Sequence, residues 1–160
     1  MLPLLQRLDQ ETGFMLLEPG ARNLSLKRQQ ELIREYSDAN TGMLLVAEVD
    51  TGLAGFIGGT GGRFDRERHT LYLAMGVLQA YWGRSIGRRL LQSLEEWAGD
   101  DGYHRLELSV MEHNARARAL YEKSGFEYEG MRCDALKLNG RYINEFYMAK
   151  LIRPCSNRNS

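Results

Sequence analysis

The chain has 160 residues, 43% of them hydrophobic, with 21 Lys plus Arg against 21 Asp plus Glu. That length supports one domain with a sizeable core, and the zero net charge removes the bulk electrostatic case for a nucleic-acid partner. No run of about 18 apolar residues reads as a membrane span, and Met1-Leu-Pro-Leu-Leu lacks the basic region of a signal peptide.

Residues 2–12 read as a helix with Leu4, Leu5 and Leu8 on one face. After the Pro19-Gly20 break a second helix begins near Ser25, a good N-cap, with Gln29, Leu32, Ile33 and Tyr36 following before Asn40-Thr41-Gly42. Three strand-like segments come next, at residues 43–49, 53–58 and 70–78, with Asp50-Thr51-Gly52 as the first turn. The intervening Gly-rich and charged stretch, GGTGGRFDRERHT, is followed by no helical pattern. It reads as a hairpin connection bordering a cleft at most, because a phosphate loop needs a helix start behind it.

Residues 85–98 carry the clearest helical pattern, with Ile86, Leu90, Leu94, Trp97 and Ala98 in phase. A short strand at 106–110 and a helix at 114–124 follow, the latter stopped by Gly125. From Phe126 the chain is extended, and Asn139-Gly140 between strand-like flanks predicts a tight hairpin. One domain is expected over 1–153, with a disordered tail over 154–160. The order predicts a mixed α/β layer with antiparallel and parallel parts.

Cys133 and Cys155 have no metal or redox spacing, and His69, His104 and His113 have no ligand spacing. No metal is expected, and the unpaired cysteines fit a reducing cytoplasm.

The stretch AYWGRSIGRRLL raises the functional question. Gly83, Arg84, Ser85, Ile86 and Gly87 sit between a strand end and a helix start, with Arg88 and Arg89 adding charge. Unsatisfied amides at a helix N-terminus, with the positive end of its dipole, favour an anion. Glycine lets backbone approach a ligand closely. A tight turn before a solvated helix face accounts for the same residues, so the element alone does not decide.

A second element follows it: Asn114, Ala117, Leu120-Tyr121 and Gly125-Phe126. Together the two, in this order, resemble the GNAT superfamily of N-acetyltransferases over roughly residues 43–151. The resemblance implies an α/β (α+β) fold: a mixed, mainly antiparallel sheet splayed between two strands, flanked by helices and ending in a β-hairpin. It departs from the family pattern at Trp82, where Arg or Gln is usual, and at Ser85, where Gly is usual. Ser85 is tolerable with an ordinary negative φ, and its hydroxyl is then free to cap the helix or donate to phosphate. The family's first strand also has no counterpart before the first helix, which leaves a sheet edge open and room for a homodimer.

By resemblance the co-substrate is acetyl-CoA and the acceptor is an amine, on a small molecule or on a protein N-terminus or lysine. Met75, Gly76 and Val77 would hold the pantetheine arm, and Trp82, Gly83, Arg84, Ser85, Ile86, Gly87 and Arg88 the diphosphate. Gly76 reads as a bulge at the splay or as relief of crowding. Asn114 reads as a helix cap, alone or with a cofactor contact. Tyr121 is the expected proton donor to the thiolate, with a core aromatic as the alternative reading. The base is open: Glu107 shares a face with Ser109 and either aims into the cleft or pairs with Arg105, with Glu112 and His113 in reserve. Tyr142, Glu145, Phe146 and Tyr147 are available to an acceptor pocket. A base matters because an amine of pKa about 10.4 is neutral in roughly one molecule in 2,500 at pH 7, a cost of about 4.6 kcal/mol. A non-catalytic acyl-CoA-binding module is the competing reading.

Overall fold

The computed structural model describes residues 1–15, 17–22, 25–37, 42–50 and 52–152. Two helices lead, α1 (Leu2–Glu11) and α2 (Leu26–Ser37), followed by β1 (Gly42–Val49), β2 (Gly52–Gly61) and β3 (Thr70–Val77). Then come α3 (Ile86–Asp100), β4 (Arg105–Met111), α4 (Ala115–Lys123), β5 (Glu127–Leu138) and β6 (Arg141–Leu151). Each expected helix and strand is present, with ends shifted by a few residues. The expected tail, Asn40, Thr41, Thr51 and the side chains of Gln29 and Leu32 lie outside the described residues.

Local chemistry explains the element ends. Pro3 opens α1, where a missing N–H costs nothing. Ser25 Oγ accepts from the Arg28 amide at 3.2 Å, capping α2 as expected. Asn139 and Gly140 both take positive φ, 49° and 80°, which is the type I′ geometry between β5 and β6. The charged link from β2 to β3 closes through its own turn, Glu67 N–H donating to the Phe64 carbonyl and Thr70 N–H to that of Glu67.

The sheet has the order β1-β2-β3-β4-β6-β5, antiparallel except for β3 beside β4. One face carries Ile57, Leu71, Leu73, Leu106, Leu108, Val110 and Met148 against Ile86, Leu90, Leu91 and Leu94 of α3 and Tyr121 of α4. A smaller core on the other face joins Leu4, Leu5 and Leu8 of α1 to Phe56 and Leu78. Leu8 is fully buried there, and truncating such a residue to Ala costs about 2–5 kcal/mol. Among the described residues no strand precedes α1, and the outer edge of β1 has no partner strand.

The feature that positions the site is a split. β3 and β4 pair only at Thr70–Arg105, Leu71–Leu106 and Tyr72–Glu107, although they run on to Val77 and Met111. Beyond Tyr72, β3 stays bound to β2 as far as Val77, while β4 stays bound to β6 as far as Met111. Each strand thus keeps its other neighbour, and the sheet opens between them.

The expected bulge at Gly76 is not what opens it. Gly76 pairs with Phe56 in unbroken register, and the register shifts lie in β1–β2 and β5–β6. A Cβ on Gly76 would sit 2.7 Å from Leu8 Cδ1 and 3.1 Å from Phe56 Cε1. The glycine is there to let α1 lie close on the sheet.

Candidate active site

β3 leads through a 3₁₀ turn at Gln79–Tyr81 into the start of α3. Gly83 has φ +77°, and Ser85 has φ +60°. The first helical bond that closes on this turn runs from the Arg89 N–H to the Ser85 carbonyl. Among the described residues, the amides from Gly83 to Arg88 have no acceptor. A row of unsatisfied donors at a helix start favours an anion.

Ser85 departs from expectation. Its backbone is left-handed rather than at negative φ, and its side chain makes no cap bond. The turn demands a left-handed residue at this point, and a non-glycine residue there costs about 1 kcal/mol. At Gly87 the need is close packing, since a Cβ would lie 3.2 Å from Leu120 Cδ2 on α4.

Trp82 has a defined job. Its indole N–H donates to the Val77 carbonyl at 2.7 Å, and the Arg116 guanidinium lies 4.6 Å from its ring centroid. That carbonyl is therefore taken by the chain itself. Arg84 stacks over Tyr81 at 5.3 Å and does not line the cleft, whereas Arg88, Arg116 and Lys123 do.

A cleft of about 890 Å³ runs from this turn through the split to α1. Met75, Gly76, Val77, Trp82, Gly83, Ser85, Ile86, Gly87, Arg88, Asn114 and Tyr121 all line it, so the structure brings most of the expected residues together. The Ile86 side chain itself is buried in the core. Asn114 caps α4, its Oδ1 accepting from the Ala117 amide at 3.2 Å. Tyr121 is 8% exposed and packs against Phe126, yet it reaches the cleft. Burial pushes its phenol well above the usual tyrosine range, and the neighbouring Tyr72 adds to the rise. Tyr121 is thus a core aromatic whose side chain also opens on the cleft.

The other end is walled by Leu8, Thr12, Phe14, Met15 and Leu136. Glu107, an expected base, is not part of this wall. It lies where β3 and β4 still pair, and Arg105 Nε donates to its Oε2 at 3.0 Å. Arg105 also grips Glu129, which lowers the Glu129 pKa. Glu112 accepts from Asn144 Nδ2 at 3.0 Å, and the His113 ring rests 5.2 Å from that of Phe14. Among the described residues, the carboxylate that lines the cleft belongs to Glu145, on β6. Tyr142, Phe146 and Tyr147 lie outside the lining, as does the charged β2–β3 link.

Sequence reasoning passed over Arg116, Lys123, Tyr72 and Ser109 as site residues. Arg116 and Lys123 are two turns apart on α4, so a basic stripe was there to be found. Tyr72 and Ser109 carry only hydroxyls, and a search for carboxylates does not find them. Among the described residues no group of three metal-ligating side chains occurs, and no helix is long and apolar enough to cross a membrane.

Comparison with known proteins bears on this cleft. A profile of the acetyltransferase (GNAT) family matches residues 11–126. The chain is 34% identical over 67 residues to the L-amino acid N-acetyltransferase AaaT of Escherichia coli, covering 42% of this chain and 40% of that protein. It is 39% identical over 77 residues to the N-alpha-acetyltransferase RimI of Mycobacterium tuberculosis, covering 48% and 44% respectively. The matched stretches thus span about two fifths of those relatives. A crystal structure of a GNAT acetyltransferase from Streptococcus pneumoniae superposes with a TM-score of 0.88 at 28% identity, covering 95% of this chain and 91% of that one.

Proposed function

The chain belongs to the GNAT acetyltransferase family, and from that premise we propose that it moves the acetyl group of acetyl-CoA to a primary amine by direct attack. The observation that carries this reading is one cleft holding the free amides of the Gly83–Arg88 turn, the opened strand β3 and the Tyr121 phenol. The residues fit the co-substrate. The amides and the cations of Arg88, Arg116 and Lys123 suit phosphate groups, and the unpaired edge of β3 beyond Tyr72 suits an amide-bearing arm.

Acetyl-CoA supplies an activated thioester. The chain's part is to orient it and to manage protons. Thiolate departure is eased by a donor at the sulfur, since the conjugate thiol has a pKa of about 8.5. Tyr121 brings its phenol to the cleft and is the donor for that step; burial makes it a weaker acid than a free tyrosine, so it takes back a proton as the sulfur receives its own. Expected acceptors are small amines, including amino acids, and protein N-termini or lysines. Amino acids and α-amino groups are the acceptors that the names of AaaT and RimI carry.

The test is CoA release from acetyl-CoA by purified protein across a panel of amines, amino acids and peptides. Turnover with at least one class is expected. Acetyl-CoA at a hundredfold excess over its Kd raises Tm by about 5 °C or more, and ATP does not. Stabilisation by acetyl-CoA without CoA release from any acceptor overturns the enzymatic reading in favour of a binding module. The grip of Trp82 on the Val77 carbonyl is the observation that keeps that second reading in view.

A further inference from the structure

Three side chains bridge the mouth of the split. The Tyr72 hydroxyl on β3 lies 2.8 Å from Ser109 Oγ on β4, and Ser109 Oγ lies 3.4 Å from Glu145 Oε1 on β6. Tyr72 is the last residue of β3 that pairs with β4, and Ser109 lies just past that point on the other strand. All three line the cleft. Glu145 is 8% exposed, and its second oxygen is held by Arg132 Nη1 at 3.0 Å. Arg132, from β5, is itself outside the cleft lining.

The chain of hydroxyls has a fixed polarity. An ionised Glu145 only accepts, so Ser109 donates to it. The Ser109 oxygen is then free to accept the Tyr72 O–H. That leaves the Tyr72 oxygen as the open, accepting end. Arg132 holds the other carboxylate oxygen, which turns Oε1 toward Ser109.

Resting on the acetyltransferase reading, we propose that Glu145 is the terminal proton acceptor of the reaction and that Tyr72 and Ser109 carry the acceptor amine's proton to it. The ammonium gives one proton to the Tyr72 oxygen. The Tyr72 proton passes to Ser109, and the Ser109 proton to Glu145 Oε1, leaving a neutral amine and a protonated carboxyl. The nitrogen forms its bond to the acetyl carbon, the C–S bond breaks with its electron pair on sulfur, and the thiolate takes the Tyr121 proton. Tyr121 is restored by the second proton that the nitrogen sheds on becoming an amide. Glu145 returns its proton to solvent, so one proton is released per turnover.

Tyr72 lies close enough to Tyr121 to act on its phenol, so the proton-accepting and proton-giving ends meet in the split. The chain matters only for an acceptor that arrives charged. That is what makes it testable.

Glu145→Gln and Ser109→Ala are compared with the parent protein on two acceptors of the same carbon skeleton. One is a primary alkylamine, an ammonium at pH 7, and the other is the acyl hydrazide, whose terminal nitrogen is neutral there. For Glu145→Gln, kcat/KM on the alkylamine is expected to fall about 100-fold and to recover toward the parent value above pH 9, while the hydrazide changes less than about threefold. Ser109→Ala shows the same selectivity with a loss of about tenfold. The rise in Tm on adding acetyl-CoA, kept in both variants, reports an intact fold and cofactor site. Equal losses on both acceptors, or an unchanged alkylamine rate, overturn the relay and leave the acetyltransferase reading standing. The alkylamine is one that the parent protein turns over in the acceptor panel; a parent protein that acetylates no member of that panel while acetyl-CoA raises its Tm overturns that reading, and the relay with it.

Discussion

In the proposed reaction the working groups at one end of the cleft are main-chain amides from one unbroken stretch, Gly83 to Arg88, aimed by the start of α3. At the other end they are side chains of Tyr72, Ser109 and Glu145, brought from β3, β4 and β6, with α1 as an apolar wall. Backbone donors tolerate almost any side chain above them, provided the turn keeps its shape. Side-chain constellations from distant segments depend on each residue and on the register of every strand between them. The first kind of site suits the part of the reaction that stays constant, the nucleotide handle. The second suits the part that varies, the acceptor.

The sharpest way to separate the ends is to loosen one and watch the other. Asp9, 3% exposed on α1, takes two bonds from Arg22, at 2.6 and 2.8 Å, which pin the chain after α1 against that helix. Asp9→Asn leaves that guanidinium without its counter-charge and is expected to cost about 3 kcal/mol in chemical denaturation. Its acetyl-CoA affinity, measured by calorimetry, stays within about twofold, because none of the amides from Gly83 to Arg88 is hydrogen-bonded to α1. A large loss of acetyl-CoA affinity in the folded variant would erase the distinction between the ends.

Tyr121 stands between them. Tyr121→Phe is expected to lower kcat by about 100-fold with little change in the Tm rise that acetyl-CoA produces. Its raised pKa has a further consequence. The native state holds the phenol proton more tightly than the unfolded chain, so the stability this contributes is complete below about pH 10 and drains away as pH rises past it. Thermal melts between pH 8 and 11 should therefore fall less steeply for Tyr121→Phe than for the parent protein.

Two smaller changes probe the backbone end. Asn114→Ala removes the cap on α4 and is expected to cost about 1 kcal/mol by denaturant titration. Ser85→Gly relieves the left-handed strain and is expected to gain up to about 1 kcal/mol without loss of acetyl-CoA affinity. A Ser85→Gly variant that bound acetyl-CoA several-fold more weakly would mean that the hydroxyl, and not the backbone alone, makes a contact.

How far the chain could be read in advance follows the same division. Ser25, Gly125 and Asn139-Gly140 announced their turns and caps because each acts on neighbours within a few residues. The Gly83–Gly87 turn was legible for the same reason, and with Asn114 to Phe126 it pointed to the family that residues 11–126 match. Ser85 was misjudged because its sign of φ is set by where β3 and α3 must meet. Of the two readings of Gly76, bulge and relief of crowding, the second holds, because Leu8 of α1 packs directly on it. Glu107 and Glu145 are both glutamates on strands. What separates them is that Arg105 holds one at the closed part of the sheet, while the register of β6 on β4 carries the other to the split.

The sequence by itself determined the elements, their order and the glycine turn that opens α3, since periodicity, capping and glycine geometry act over a few residues. Only the tertiary structure decided where the sheet parts and which carboxylate faces the opening. Those depend on β3 and β4 each keeping a different neighbour, a choice made by contacts between residues far apart in the chain.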